Sequence, residues 1–434
     1  MELNSYADFS RSIHTAVNAR RIPVNGTIEI TNRCPLTCAH CYNNLAMNDS
    51  SARSLELTTE QHFRIVDEIA EMGCLWLLYS GGEIFARRDF LDIYVHAKRA
   101  GLLVTLFTNA VLINERIVDT LVEWPPFAVE VTLYGATRNT YEALTGIPGS
   151  YDKCMRGIEL LLDRKLPLKL KTVAVSINKH EVAAMKKIAA GLGVEFKFDP
   201  MINPRIDCSS SPLAVRLTPA EIVSFDFDDQ ERIDAWRKMA TQFAPMPVPE
   251  DEPAEIYDCG AGTNSFAIDP YGKLTMCVLS HFDQFDLKGG SFREGWDHFL
   301  RNVRAKRATM PTKCTSCQIR SMCGMCPAQG ELENGDPEKP VDFLCSTAHL
   351  RAAALNIAVA PHGACEYCED GERRGWIEEM LQQVGGPIEA VPLPAITLTT
   401  PGQVVADTDQ DQSRVEQASA AAGAELARGP AQVV

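Results

Sequence analysis

The sequence predicts an α/β fold of parallel strands followed by a small cysteine-rich domain. Three observations support this prediction. First, short apolar, β-branched runs alternate with segments of helical periodicity over residues 24–199, which is typical of parallel βα units. Second, a loop with three cysteines directly follows the first predicted strand. Third, seven further cysteines are concentrated between Cys259 and Cys345.

Composition limits the class of protein. The chain has 434 residues, 45% of them hydrophobic and 23% charged, which is ordinary for a globular enzyme of two or three domains. The formal net charge of -15 argues against nucleic-acid binding. We expect neither a secretion leader nor a membrane span, because no apolar run approaches the ~18 residues that a span needs. Fifteen cysteines then indicate metal binding in a reducing cytoplasm and an oxygen-sensitive holoenzyme.

Six strands are predicted before residue 215, and each leads into a helix or a polar turn. The predicted strands are 24–31, 75–79, 102–107, 127–133, 168–176 and 195–198. The predicted helices are 59–72, 90–100, 115–122, 151–162 and 181–192.

The remaining segments are assigned by composition. Residues 1–23 form an N-terminal segment with a possible helix at 8–20, and residues 24–215 form the βα domain. Residues 216–258 are expected to be a bridge of two short helices and a proline-rich linker. The cysteine-rich domain occupies 259–348, and a helical segment, with a helix at 348–359, follows to 386. The Pro, Ala, Gly and Gln content of residues 387–434 predicts a disordered tail.

The three cysteines of the first loop indicate an iron–sulfur cluster with an open iron. Cys34, Cys38 and Cys41 lie at the carboxyl end of a strand, where α/β folds place their chemistry. Three thiolates can hold three irons of a 4Fe–4S cluster and leave the fourth free for a small molecule. The alternative is a structural zinc loop, which needs four ligands in paired spacings. His40 is the nearby residue that could serve as a fourth ligand.

This loop resembles a known family. The spacing Cys34-x3-Cys38-x2-Cys41, with His40 and Tyr42 flanking the third cysteine, is similar to the signature of radical S-adenosylmethionine (SAM) enzymes. The resemblance implies a partial (β/α)6 TIM-type barrel. It also implies that the open iron chelates SAM, and that reductive cleavage of SAM yields a 5′-deoxyadenosyl radical that abstracts a hydrogen from the substrate. An electron donor such as flavodoxin or ferredoxin is implied as a partner.

A second motif, Gly81-Gly82-Glu83, follows the next strand. Two glycines allow close approach of the backbone to a ligand, and in the family this element contacts the methionine amino group of SAM. Ile84 stands where the family usually has proline. For the polar strand ends, hydrogen bonding within turns is the alternative to ligand contact. The residues that the resemblance implies for cofactor binding are His40, Tyr42, Gly81, Gly82, Glu83, Thr108, Asn109 and Thr132.

The later cysteines resemble the SPASM extension, which carries two auxiliary 4Fe–4S clusters. The resemblance rests on Gly272-x4-Cys277 and on the run Cys314-x2-Cys317-x5-Cys323. The next gap, to Cys326, is two residues where three are usual, which leaves open how Cys326 is shared. A pair of zinc ribbons is the alternative. The resemblance implies one cluster on Cys259, Cys277 and Cys326 and another on Cys314, Cys317, Cys323 and Cys345.

One further cysteine pair, Cys365-x2-Cys368, has two interpretations. The pair could supply the missing fourth ligand of the first auxiliary cluster. The favoured expectation is an exposed thiol pair near the end of the ordered chain.

The resemblance implies maturation of a ribosomal peptide, because SPASM-bearing family members modify peptides or proteins. A separate leader-peptide-binding protein would then be a partner. The stretch from Leu133 to Ser150 is also similar to peptide maturases. The alternatives are formylglycine formation in sulfatases, disfavoured because Val278 and not Asp follows Cys277, modification of a small metabolite, and a non-catalytic electron-transfer protein. The sequence indicates no catalytic side chain or general base.

Overall fold

The computed structural model describes residue 13 and residues 16–18, 20–228, 230–242, 255–257 and 259–388. The predicted proline-rich linker around 245–253 and the predicted tail from 389 onward lie outside these residues, as does most of the predicted helix at 8–20.

The described strands and helices are numbered here in chain order. The strands are β1 (Asn25–Glu29), β2 (Arg33–Cys34), β3 (Leu45–Ala46), β4 (Trp76–Ser80), β5 (Leu103–Thr108), β6 (Ala128–Thr132), β7 (Leu168–Val173), β8 (Glu195–Asp199), β9 (Ser265–Ile268), β10 (Lys273–Thr275) and β11 (Phe285–Asp286). The α-helices are α1 (Ser50–Leu55), α2 (Thr59–Glu71), α3 (Phe90–Arg99), α4 (Glu115–Glu123), α5 (Arg138–Thr145), α6 (Ser150–Asp163), α7 (Val182–Gly191), α8 (Pro219–Asp226), α9 (Gln230–Gln242), α10 (Phe292–Glu294), α11 (Arg301–Arg304), α12 (Pro327–Asn334), α13 (Asp342–Ala354) and α14 (Arg374–Gln383). A π-helical turn, Gly295–Leu300, joins α10 to α11.

The main sheet has the strand order β11-β10-β9-β1-β4-β5-β6-β7-β8. The run from β1 to β8 is parallel, and its neighbours follow one another along the chain with helices in the connections. The six predicted strands are all present, and the predicted partial (β/α)6 barrel is confirmed. Because the strands are parallel, their carboxyl ends meet at one edge of the sheet, and the site residues lie there.

Helix α2 illustrates how the helices are held against the sheet. Thr58 and Gln61 form a capping box that satisfies the first backbone N–H groups of the helix. Ile65, Val66 and Ile69 form its buried face and belong to the main apolar core. The strands present alternate residues to this core, so the other face of each strand points into the barrel.

Strand β9 joins the cysteine-rich region to the barrel as a seventh parallel strand. It pairs with β1, from Asn25 opposite Ser265 to Ile28 opposite Ile268. Gly26 provides the space for the Phe266 ring, because a Cβ atom at position 26 would lie 2.5 Å from it. The local sequence does not indicate the place of this strand in the barrel sheet.

Helix α13 begins and ends earlier than the predicted helix at 348–359. It begins after Val341, with Asp342 in its first turn, where a carboxylate interacts favourably with the helix dipole. It ends at Ala354, and Asn356 adopts a left-handed conformation with φ of 55°. Pro361 follows shortly afterwards and cannot continue a helix. The shift places Cys345 and His349 one turn apart on the same helix.

Candidate functional site

Cys34, Cys38 and Cys41 converge in the loop that follows β1. Burial, the charge of Glu83 and the thiol of Cys41 raise the pKa of Cys34 to about 12. Burial and the thiols of Cys41 and Cys34 raise the pKa of Cys38 well above its ordinary value. Burial likewise raises the pKa of Cys41. Three neighbouring thiolates in one buried place would repel one another, and a bound cation that replaces the three thiol protons would offset this repulsion.

Helix α5 and the glycine after it hold the cysteine loop from one side. The N–H of Thr37 donates to the carbonyl of Thr145 at 2.9 Å, and the N–H of Ala39 donates to that of Leu144 at 3.0 Å. Gly146 ends α5 with φ of 70°, and a Cβ atom there would collide with the Thr37 hydroxyl. The segment that resembles peptide maturases therefore positions the cysteine loop.

Arg205 holds the loop from the other side. Its guanidinium donates to the carbonyl of Cys41 at 3.4 Å and to the carbonyl of Asn44 at 3.0 Å. The neighbouring N–H of Ile206 donates to the carbonyl of Tyr42 at 3.0 Å. The chain between β8 and α8 thus fixes the third cysteine.

The two glycines of Gly81-Gly82-Glu83 pack against the backbone that leads into the cysteine loop. The N–H of Gly82 donates to the carbonyl of Thr31 at 2.6 Å. A Cβ atom at position 81 would collide with the carbonyl of Thr31, and one at position 82 would lie 2.5 Å from the carbonyl of Asn32. The close approach that requires glycine is therefore between two loops of the protein.

Glu83 connects the ends of β4 and β5. Its buried carboxylate accepts hydrogen bonds from the Thr108 hydroxyl at 2.8 Å and from the Asn109 N–H at 2.9 Å. The Asn109 side chain in turn donates to Cys34 Sγ at 3.4 Å. Burial raises the pKa of Glu83 to about 7. Glu83, Thr108 and Asn109 are thus brought together around Cys34.

His40 and Tyr42 flank Cys41 in the sequence and contact different residues. The Tyr42 hydroxyl donates to Glu29 Oε1 at 2.7 Å, and burial raises the pKa of that carboxyl to about 7. His40 packs against the ring of Tyr134, and burial lowers its pKa to about 4, so the imidazole is neutral. His40 Nδ1 is buried and has no hydrogen-bond partner among the described residues.

Thr132, at the end of β6, faces the barrel interior beside a titratable pair that sequence reasoning missed. Lys171 on β7 is the register partner of Thr132, and its ammonium lies 3.5 Å from the Glu130 carboxylate. Burial lowers the pKa of Lys171 to about 7. The polar-apolar alternation of β7 is the signal that could have indicated it.

Cys259, Cys277 and Cys326 form the second group of thiols. Burial and the thiols of Cys326 and Cys259 raise the pKa of Cys277 to about 11. Cys326 stands at the N-terminus of α12, and Cys259 is exposed. The structure thus brings together the three residues expected for the first auxiliary cluster.

The third group comprises the four residues expected for the second auxiliary cluster. Cys314, Cys317, Cys323 and Cys345 line one cavity. Burial and the thiols of Cys314 and Cys317 raise the pKa of Cys323 to about 12. Cys326 also lines this cavity, so it borders both groups.

The expectation of an exposed pair at Cys365 and Cys368 is wrong. The two residues are 7% and 3% exposed and belong to an apolar cluster that includes Cys345. They lie beside two buried histidines, His349 and His362, which sequence reasoning missed. The spacing His362-x2-Cys365-x2-Cys368 was the available signal, but His349 lies too far along the chain to complete it by pattern.

No helix among the residues that the structure describes is long and apolar enough to cross a bilayer.

Comparisons with known proteins agree with this geometry. The "AdoMet-dependent heme synthase" of Methanosarcina barkeri is 25% identical over 71% of this chain and 92% of its own length. The "PqqA peptide cyclase" of Rhodopseudomonas palustris is 27% identical over 78% of this chain and 91% of its own length. Each alignment is longer than the barrel, so both relatives also match residues outside it.

Solved structures share the fold. SuiB of Streptococcus suis bound to S-adenosylmethionine superposes with a TM-score of 0.57 and 15% identity, over 80% of this chain and 82% of its own. A structure of anSMEcpe with bound AdoMet has a TM-score of 0.55 and 15% identity, over 76% of this chain and 96% of its own.

The family match covers most of the barrel. Residues 28–188, from β1 through most of α7, match the Radical SAM superfamily. This range contains the three converging thiols and Gly81-Gly82-Glu83. The barrel of this chain is therefore a radical SAM domain.

Proposed function

We propose that this chain is a radical SAM maturase that modifies a peptide or protein by hydrogen abstraction. The observation that carries the proposal is the convergence of Cys34, Cys38 and Cys41 at the carboxyl end of β1, within a radical SAM domain. A relative named as a peptide cyclase matches both this domain and the cysteine-rich region.

The residues of the first loop fit the 4Fe–4S cluster and SAM that this family binds. Cys34, Cys38 and Cys41 would hold the cluster, and SAM would occupy the adjacent edge of the sheet. When bound, the pair supplies a 5′-deoxyadenosyl radical on one-electron reduction. Asn109 acts on Cys34 directly, because its side chain donates to Cys34 Sγ, and Glu83 acts through Asn109, from whose backbone N–H it accepts a hydrogen bond.

The two later groups of thiols suit auxiliary clusters. Cys314, Cys317, Cys323 and Cys345 provide the four thiolates that a complete cluster needs. Cys259, Cys277 and Cys326 provide three. A cluster with one open iron beside the barrel could ligate a substrate atom, whereas a complete one carries electrons. A reducing partner such as flavodoxin or ferredoxin, a leader-peptide-binding protein and a cytoplasmic location belong to this proposal.

A second candidate is modification of a small molecule. It is favoured by the similarity to a heme synthase over nearly the whole length of that relative. The two candidates share the cluster chemistry and differ only in the substrate.

The test separates cluster chemistry from substrate choice. After anaerobic reconstitution we expect about twelve irons per chain. Replacing Cys34, Cys38 and Cys41 together with Ala should remove about four irons and abolish formation of 5′-deoxyadenosine. Zinc in place of iron, or continued formation of 5′-deoxyadenosine in the triple variant, would contradict the cluster assignment.

Substrate choice is tested with the reduced enzyme, SAM and the peptide encoded beside the gene. Loss of a hydrogen pair, or uptake of deuterium at an α-carbon from heavy water, supports cross-linking or epimerisation of the peptide. An unchanged peptide together with consumption of a heme precursor would favour the second candidate.

A further inference from the structure

Four buried side chains beyond the expected cluster ligands converge at the end of the described chain. His349 lies on α13, and His362, Cys365 and Cys368 lie in the irregular segment between α13 and α14. Each is less than a tenth exposed, and one ligand atom from each lies within 4.8 Å of the other three. Such a set of soft and borderline donors, grouped away from water, has the composition of a Cys2His2 metal site.

Three separations between the ligand atoms fit a tetrahedral ion. His349 Nε2 lies 3.4 Å from Cys365 Sγ and 3.7 Å from Cys368 Sγ. His362 Nδ1 lies 3.3 Å from Cys368 Sγ. Tetrahedral zinc with ordinary Zn–S and Zn–N bond lengths requires ligand atoms about 3.3–3.8 Å apart. A binuclear iron–sulfur cluster would spread its ligands farther, so a single ion is the better fit.

A hydrogen bond orients His349 for this role. Its Nδ1 donates to the carbonyl of Cys345 at 2.8 Å, which fixes the tautomer that presents Nε2 to the two thiols. A metal-binding histidine commonly donates its second ring N–H to a carbonyl in this way. For His362, binding through Nδ1 would replace its present contact with the carbonyl of Ala360 at 3.0 Å.

Charge also favours a divalent ion over bare thiolates. Two thiolates and two neutral imidazoles around a zinc ion have no net charge, so the group can be buried at little cost. Four protein ligands close the coordination sphere, and a closed sphere is typical of structural zinc sites. The ion would also tie the irregular chain after α13 to the helix that carries Cys345.

We propose that His349, His362, Cys365 and Cys368 form a structural zinc site, distinct from the iron–sulfur clusters, that fixes the C-terminal segment against α13. This site replaces both interpretations of the Cys365–Cys368 pair that the sequence left open. The Cys365–Cys368 pair lies near the residues expected for the second auxiliary cluster, because its thiols raise the pKa of Cys317. In the group expected for the first auxiliary cluster, the thiols that raise the pKa of Cys277 are those of Cys326 and Cys259.

The first experiment uses the wild-type full chain, purified anaerobically from cells supplied with iron and zinc. Elemental analysis should find about one zinc per chain beside the iron. X-ray absorption at the zinc edge should show two sulfur ligands at about 2.3 Å and two nitrogen ligands at about 2.0–2.1 Å. Absence of zinc, or zinc with four sulfur ligands, as expected for zinc misplaced in a cluster site, would overturn the proposal.

The second experiment uses variants. Replacing Cys365 and Cys368 together with Ser should remove the zinc and leave the iron content unchanged. The matched control replaces Cys74 and Cys154 with Ser. These two cysteines are also buried but lie in the barrel, so this variant should keep the zinc. His349→Asn should reduce zinc content as well. Retention of zinc in the Cys365/Cys368 variant, or loss of iron in proportion to zinc, would refute a separate zinc site. If a variant fails to fold, the X-ray absorption spectrum of the wild type decides the question.

Discussion

At the scale of single residues, the barrel contains ionisable side chains that are removed from water, Glu83 and Lys171. Glu83 is buried and is held by Thr108 and Asn109. Lys171 is partly buried beside Glu130 and close to the Phe107 ring. Such desolvated groups cost stability and are concentrated where a protein binds or reacts with a ligand. The titration of Lys171 therefore offers a way to probe the barrel interior, through the dependence of stability on pH.

Lys171→Met should change how stability depends on pH. Burial lowers the pKa of Lys171 from 10.5 to about 7, so above pH 7 the unfolded chain binds a proton that the folded chain does not. The stability of the wild type relative to that of the variant should therefore rise by up to ~3 kcal/mol between pH 7 and pH 10. Chemical denaturation at several pH values measures it.

Lys169→Met is the matched control for that prediction. Lys169 lies on the same strand, and its ammonium forms an ion pair with Glu195 at 2.7 Å near the surface. This variant should keep the wild-type dependence on pH. An equal loss of the rise in both variants would show that it does not come from burial of Lys171.

At the scale of elements, the cysteine loop depends on a helix and an irregular segment that lie far from it in sequence. The carbonyls of Leu144 and Thr145 at the end of α5 bind its N–H groups, and Arg205 binds its carbonyls. The loop itself contains little regular structure beyond the short strand β2. The glycine at the end of α5 is consequently part of the support of the cluster.

Gly146→Ala should weaken the first cluster as well as the fold. A non-glycine residue at its φ of 70° costs roughly 1–2 kcal/mol, and the added methyl group also collides with Thr37. We expect a lower melting temperature and a loss of up to about four irons per chain. Thermal unfolding and iron analysis measure the two effects separately.

Gly335→Ala is the control that separates the effect of backbone strain from the effect of displacing the cysteine loop. Gly335 ends α12 with φ of 68°, and nothing lies within 4 Å of an added Cβ atom. This variant should lose similar stability through backbone strain and keep its iron. Equal iron loss in the two variants would contradict the supporting role of Gly146.

At the scale of the whole molecule, the barrel and the cysteine-rich region share one sheet. Strand β9 covers the edge of β1, and the helical turn behind it buries Phe292 and Trp296 against Phe266. Without β9, a hydrophobic parallel strand would be left with unpaired backbone groups, which invites aggregation. The region that supplies the auxiliary ligands is therefore also needed for the fold of the barrel.

Truncation tests this dependence. A chain that ends at residue 258 should be insoluble or show a melting temperature more than ~10 °C below that of the full chain, because the edge of β1 and its apolar cover are lost. A chain that ends at Glu389 should melt close to the full chain. Ile388 is kept in that control because its N–H donates to the carbonyl of Ala354 at 3.0 Å. A soluble 1–258 fragment with wild-type stability would refute the shared sheet as a requirement.

The sequence by itself determined the βα alternation of the barrel and the cysteine groups. Strand and helix periodicities are local, so the six strands at 24–199 could be read from windows of a few residues each. Cys34, Cys38 and Cys41 likewise lie within a few residues of one another along the chain. The same holds for the run Cys314-x2-Cys317-x5-Cys323. Each of these features is complete within one stretch of chain.

Only the tertiary structure decided which distant segments meet. It placed β9 beside β1, turned Glu83 toward Asn109 and Cys34, and brought His349 to the Cys365–Cys368 pair. These contacts join residues that are far apart in the chain or on different elements, and their energy comes from burial and hydrogen bonding that no local pattern encodes. The exposed pair expected near the end of the chain became a buried group for the same reason, because a helix that begins at Asp342 covers it.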